Sequence, residues 1–248
     1  MSNQQNTSQT KISPKLMFVL GLVSAVAIVS LIGFIVLLAR GGKIKIDDTA
    51  GDQQPNQAQE EPKEIVLKDI TKEDHIRGTI DAPVKIVEYS DLLCPFCQRH
   101  HATMKQLKED YGDKIAWVYR HFPLPSLHPT APKMAEGAEC AAELNGEDGF
   151  WALADKISEG NVSLETLADA AVAIGLDKDK FQECLDSGKY ADKIQAAAQD
   201  SLITAQSVDP RVGTPLNIIL GPDDQKIPLA GAYPIEAFKE AIDAMLAQ

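Results

Sequence analysis

Acidic residues are missing from the first 45 positions of this 248-residue chain, and charge of either sign is missing from Leu16 to Ala39. The second absence leaves 24 uncharged residues. At about 1.5 Å per residue they are long enough to cross a hydrocarbon core of about 30 Å. An uncleaved transmembrane anchor over 16–39 is the expectation. A cleaved signal peptide competes with it, because Ala25-Val26-Ala27 has the small-x-small form that signal peptidases accept. Cleavage there would leave twelve further apolar residues at the new terminus. Lys11 and Lys15 precede the span and Arg40, Lys43 and Lys45 follow it, so the positive-inside count does not set its orientation. Those five are the only basic residues of the first 45, out of 24 in all, and the 36 acids all lie beyond, so the remainder is near -17. Such a body lacks the Lys and Arg excess that neutralises phosphates, which excludes a nucleic-acid partner. It reads as a soluble surface that repels its own copies. Internal repeats are absent too.

What is present divides cleanly. Residues 1–15 read as a disordered polar tail and residues 40–63 as a flexible linker, too poor in apolar groups to fold. Residues 64–248, roughly 185 in number, suit a single domain. Glu64–Ile70 alternates as a short strand, and Val84–Asp91 (VKIVEYSD) reads as a buried one. A helical pattern follows Cys94-Pro95-Phe96-Cys97 and stops at Gly112, and a third strand is predicted over Ile115–His121. Strand, helix, strand is the crossover unit that lays two parallel strands side by side. From about 129 to 208 the pattern is helical, with Ser163 and Asp177 as N-caps and Gly146, Gly175 and Gly188 as stops, giving four or five helices. Leu216–Leu220 and Gln225–Leu229 read as strands joined by a turn, and Ile235–Leu246 as a closing amphipathic helix.

Cys94 and Cys97, three apart at a helix start, share a face at a separation that disulfide geometry accepts. Cys94 sits where unpaired backbone N–H groups and the helix dipole favour a thiolate, so it is read as the more exposed, attacking sulfur. Cys97, one turn in, is read as the sulfur that resolves a mixed disulfide. Pro95 suits the first turn, where its missing N–H costs little. A Cys-x-x-Cys can also be half of a zinc site, but a second close ligand pair is lacking: Cys140 and Cys184 are single and lie in helical patterns. His100 and His101 share the helix of Cys97 and read as solvated or locally hydrogen-bonded. No metal and no cofactor is expected.

The order strand, Cys-Pro-Phe-Cys helix, strand, long helical insert, Gly213-Thr214-Pro215, two strands and a final helix resembles the DsbA family of thioredoxin-fold proteins. The run Tyr119-Arg120-His121-Phe122-Pro123-Leu124 with His128-Pro129 is similar to that family's bacterial members. The resemblance covers about residues 64 to 248. It implies an α/β thioredoxin fold with a helical insert between the third and fourth strands. It also implies that Thr214-Pro215 is a cis-proline loop lying against the cysteine pair, where an extended client strand pairs with the backbone of Thr214. Pro95, Phe96, Thr214 and Pro215 are then the client-binding residues. Glu88 matches the family's buried acid, which assists proton movement at the inner cysteine; a solvated Glu near a strand end is the alternative. Phe96 departs from the best-known members, which carry His there. It can add no charge or donor to the Cys94 thiolate, so the expected potential lies between about -270 and about -120 mV, short of the oxidising end.

Cys140 and Cys184 are read as a structural bridge closing a loop of about 45 residues, with roughly 3 to 4 kcal/mol of stabilisation in the chain-entropy model. A second redox pair is the rival. The expected function is a thiol:disulfide oxidase anchored in the inner membrane by a single pass, its domain on the periplasmic, extracytoplasmic side. It would hand its disulfide to exported or unfolded proteins with cysteines and be reoxidised by a DsbB-like membrane partner. A reductase or isomerase drawing electrons across the membrane is the alternative, although the short tether leaves no room for an isomerase's dimerisation domain. A binding module with the fold but no turnover is a third reading.

Overall fold

The computed structural model describes residues 64–247, so the expected tail, anchor and linker lie outside the described residues. Among the described residues no helix is long and apolar enough to cross a membrane. The elements are β1 (His75–Arg77), β2 (Val84–Ser90), α1 (Pro95–Tyr111), β3 (Ile115–His121), α2 (Ala131–Ser158), α3 (Leu167–Ala173), α4 (Lys178–Ser187), α5 (Ala191–Val208), β4 (Leu216–Leu220), β5 (Lys226–Ala230) and α6 (Ile235–Leu246). The five strands form one mixed sheet in the order β1-β3-β2-β4-β5. Only β2 and β3 run parallel, as the crossover through α1 requires. Helices α2 to α5 are the insert between the third and fourth strands.

Strand alternation divides the core into two faces. Val84 and Ile86 of β2, Trp117 and Tyr119 of β3 and Ile219 of β4 pack in the larger cluster with Met104, Leu107, Phe150 and Phe238 from the helices. Val87, Tyr89, Val118 and Ile218 face the other way, toward Ala205 of α5. Parity therefore puts Glu88 on the larger, fully covered face. The helix signals act as expected from their chemistry. Asp177 caps α4 by accepting from Lys180 N–H at 2.9 Å, and Gly188 ends it in the left-handed region at φ 64°. Asn145 and Gly146, the latter at φ 60°, leave the helical region and divide α2 into two helical segments across a kink.

Two expectations need correction. Glu64–Ile70 is not a strand; β1 lies further on, antiparallel to β3. The alternation is real, since Ile65, Leu67 and Ile70 pack on the smaller cluster. The backbone's partners, however, are side chains: Ser207 Oγ accepts from Val66 N–H, and the Arg120 guanidinium donates to Lys68 O and Asp69 O at 2.9 Å each. In addition, His100 and His101 are both buried rather than solvated. His100 Nε2 meets Asn217 Oδ1 at 3.0 Å and His101 Nε2 meets Asp155 Oδ1 at 2.6 Å.

Candidate active site

Cys94 is the N-cap of α1 and Pro95 its first residue. The turn leading in from β2 closes with Cys94 N–H donating to Asp91 O at 3.0 Å. The buried Asp91 carboxylate organises this corner. It accepts from Leu93 N–H at 2.8 Å and from Leu124 N–H and His128 Nδ1–H at 2.9 Å each. Bonds to a charged acceptor are each worth about 1.5 to 3 kcal/mol, so the loop after β3 is fastened to the cysteine turn. The sequence reading missed Asp91; its one local signal was an Asp placed where an Asx turn would start.

Both thiols of the pair are free and buried, Cys94 at 6 % and Cys97 at 3 % exposure, so the expected contrast in access is small. The contrast lies in proton affinity. The Cys97 thiol donates to the Cys94 sulfur and, against the effect of burial, brings the Cys94 pKa from 9.0 down to about 5; the backbone N–H groups of Cys97 and Phe96 add to this. The Thr214 side chain, whose buried hydroxyl makes no hydrogen bond, also favours the thiolate. Burial pushes the Cys97 thiol far up, and the Cys94 and Glu88 charges push it further. One sulfur is thus a thiolate at neutral pH while its neighbour holds its proton.

Behind Cys97 lies a buried polar row. Glu88 pairs in register with Tyr119 of β3 and Asn217 of β4, so the three share one face of the sheet. Glu88 Oε2 accepts from Trp117 Nε1–H at 2.8 Å, whereas Oε1 has no partner. Asn217, bonded to His100, leaves its Nδ2 unsatisfied. An unpaired buried carboxylate oxygen costs several kcal/mol by transfer scales. Its charge acts on the Cys97 thiol, whose proton it helps to hold. Replacing Glu88 with Gln keeps an acceptor for Trp117 and should slow the release of a Cys94-linked client by Cys97, which must first lose its proton, on the order of a hundredfold, the usual scale of general acid–base catalysis. Single-turnover release kinetics measure this, and an unchanged rate would rule out the role.

The far side of the pair is formed by Thr214 and Pro215, joined by a cis peptide bond. Cys94 Sγ lies 3.6 Å from Thr214 O, which brings together residues 120 apart in sequence. A groove lined by Val212, Gly213, Thr214, Pro215, Ala230 and Gly231 opens alongside. Next to Cys94, Phe96 is 57 % exposed with the Arg99 guanidinium 5.0 Å from its ring centre. Cys140 and Cys184 are bonded to each other, S–S 2.02 Å, tying α2 to α4 inside the insert.

The thioredoxin family profile matches residues 70–244 of the chain. The chain belongs to the thioredoxin family. Within this superfamily it is DsbA-like. Among solved structures, the thiol-disulfide exchange protein alpha-DsbA2 from Wolbachia pipientis is 26% identical, with a TM-score of 0.56 over 68% of this chain and 85% of its own. Wolbachia pipientis alpha-DsbA1 has a TM-score of 0.60 at 23% identity, over 71% of this chain and 92% of its own, a likeness of fold. Among curated proteins, the Na(+)/H(+) antiporter NhaA 3 of Salinispora tropica is 35% identical over 171 residues, 68% of this chain and 24% of the antiporter. The thioredoxin-family chain spans about a quarter of the length of such curated relatives.

Proposed function

We propose that this protein is a thiol:disulfide oxidoreductase acting as an oxidase: the Cys94–Cys97 disulfide passes to cysteine-bearing exported proteins, and a membrane redox partner of DsbB type restores it. The observation that carries this reading is the opposed proton affinity of the two sulfurs. A client thiolate attacks Cys94 Sγ of the oxidised pair, forming a mixed disulfide and expelling Cys97 as a thiolate. Cys97 then takes a proton, for which Glu88 is the nearby carrier. A second client thiolate attacks the client sulfur, forms the client's disulfide and releases Cys94. The two electrons end on the pair, and the low pKa of Cys94 makes it a good leaving group.

Client recognition belongs to the same reading. In the oxidised pair Cys94 has no thiol proton to give to Thr214 O, so this carbonyl is an acceptor that an extended client backbone can use by β-addition along the groove. Exposed Phe96 supplies apolar contact beside it. A Cys94 pKa of about 5 lies between the values of about 7 and about 3.5 for weak and strong oxidants of this superfamily. That supports a potential short of the oxidising limit. The uncharged stretch of residues 16–39 supports the membrane anchor, and the buried Cys140–Cys184 bond supports an oxidising, extracytoplasmic location. The antiporter names belong to proteins of which only about a quarter is matched and carry no transport role to this chain.

Thiol alkylation in growing cells tests the direction of electron flow. An oxidase holds Cys94 and Cys97 mostly as a disulfide at steady state; a pair found mostly as thiols would make the protein a reductase or isomerase.

A further inference from the structure

Away from the cysteine pair, His75 of β1, His121 at the end of β3 and Glu139 of α2 bring three donor atoms within 4.8 Å of one another, all on buried residues. We propose that these three side chains form a zinc(II) site, with Glu147 as its supporting carboxylate.

His75 Nε2 and His121 Nε2 stand 3.3 and 3.4 Å from the same oxygen, Glu139 Oε1. Both are long for hydrogen bonds, whose usual N···O separation is about 2.9–3.0 Å. His121 Nε2 in fact has no hydrogen-bond partner although its residue is 4 % exposed. Bonds of about 2.0–2.1 Å from zinc to nitrogen or oxygen set tetrahedral ligand atoms about 3.3–3.4 Å apart. Both nitrogens already stand at that spacing from Glu139 Oε1, and a cation among the three atoms, all within 4.8 Å of one another, would satisfy the orphaned nitrogen.

The surroundings fit a metal site as well. His75 Nδ1 meets Glu147 Oε1 at 2.9 Å, the carboxylate–histidine arrangement that turns the other ring nitrogen toward a metal. The His75 ring is stacked on Phe150, centroids 3.5 Å apart, which fixes its plane. Lys193 Nζ binds the other oxygen, Glu139 Oε2, at 2.7 Å, and leaves Oε1 to the two imidazoles. A cavity of about 290 Å³ borders all three residues and gives both an entry path and room for a solvent molecule as fourth ligand. Two imidazoles and one carboxylate with an open position form a donor set suited to zinc. The ion would clamp β1 and the end of β3 to the insert. The sequence reading assigned no metal, because the ligands are spread over 65 positions and none forms a local motif.

The full chain, purified in detergent with Cys94 and Cys97 both replaced by Ser to remove thiol ligands, is stripped with chelator and dialysed against buffered zinc. Elemental analysis should find about one zinc per chain, and cobalt(II) in its place should give the intense visible bands of tetrahedral coordination. Glu139→Gln and His121→Gln should abolish both signals. Because those two positions are buried, the half-exposed Glu147 gives a variant that spares the core: Glu147→Gln should weaken zinc binding by about 10–100-fold. Zinc at background in the thiol-free protein, or binding untouched by the Glu139, His121 and Glu147 replacements, would overturn the site.

Discussion

Cys97→Ala protein recovered from cells should carry client polypeptides joined to Cys94 through disulfides that a reductant releases, and Cys94→Ala protein should carry none. The asymmetry of the pair dictates this outcome. In Cys97→Ala the Cys94 thiolate still attacks a disulfide, since the backbone N–H groups of Cys97 and Phe96 and the Thr214 side chain remain to favour it. With the inner sulfur gone, nothing within the protein expels the client. In Cys94→Ala the remaining thiol is buried and its proton is held firmly, so it neither attacks nor is reached. Catalytic disulfide exchange should fall on the order of a thousandfold or more in either variant, because members of one catalytic set fail together. Non-reducing gels followed by mass spectrometry read the trap. A Cys97→Ala protein free of covalent clients would favour a binding module.

Removal of the second cysteine pair should act on stability and leave exchange alone. The Cys140–Cys184 bond closes a loop whose ends are 44 positions apart, within the insert. Constraining the unfolded chain over that length is worth roughly 3 to 4 kcal/mol. For a domain of this size, the double replacement by Ala should lower Tm by about 10 °C in calorimetry. The exchange rate at the Cys94–Cys97 pair should stay within about twofold, since distant sites act independently. A relay of electrons through the second pair would give the opposite pattern, an intact Tm with depressed turnover.

The fold was readable where the signals were local. A β-rich run, a Cys-Pro-Phe-Cys at the start of a helical pattern, glycine stops and Thr214-Pro215 before a strand each act within a few residues. Alternation along Val84–Ser90 puts Glu88 on the face of Val84 and Ile86, and it is buried there. What stayed hidden was whatever depends on a partner far along the chain. Asp91 receives Leu124 and His128 from 33 and 37 positions away, and His100 finds Asn217 across 117. The apparent strand at Glu64–Ile70 failed for the same reason: Arg120, some 50 residues on, takes the carbonyls that a neighbouring strand would have used. Residues 16–39 lie beyond the described part, so the anchor rests on sequence alone.

Disulfide exchange here depends on Cys94 as a stabilised thiolate beside a protonated Cys97. Its pH dependence has a definite sign. A pKa lowered from 9.0 to about 5 in the folded, reduced protein stabilises that form above the unfolded value, and the stabilisation is lost as pH falls through about 5. Titration of the thiolate's ultraviolet absorbance in the reduced protein, with Cys94→Ala as the blank, measures it most directly. One thiolate should appear with a midpoint near 5, and alkylation of Cys94 should level off above it. A single midpoint near the ordinary thiol value, with alkylation still rising through neutral pH, would contradict the mechanism.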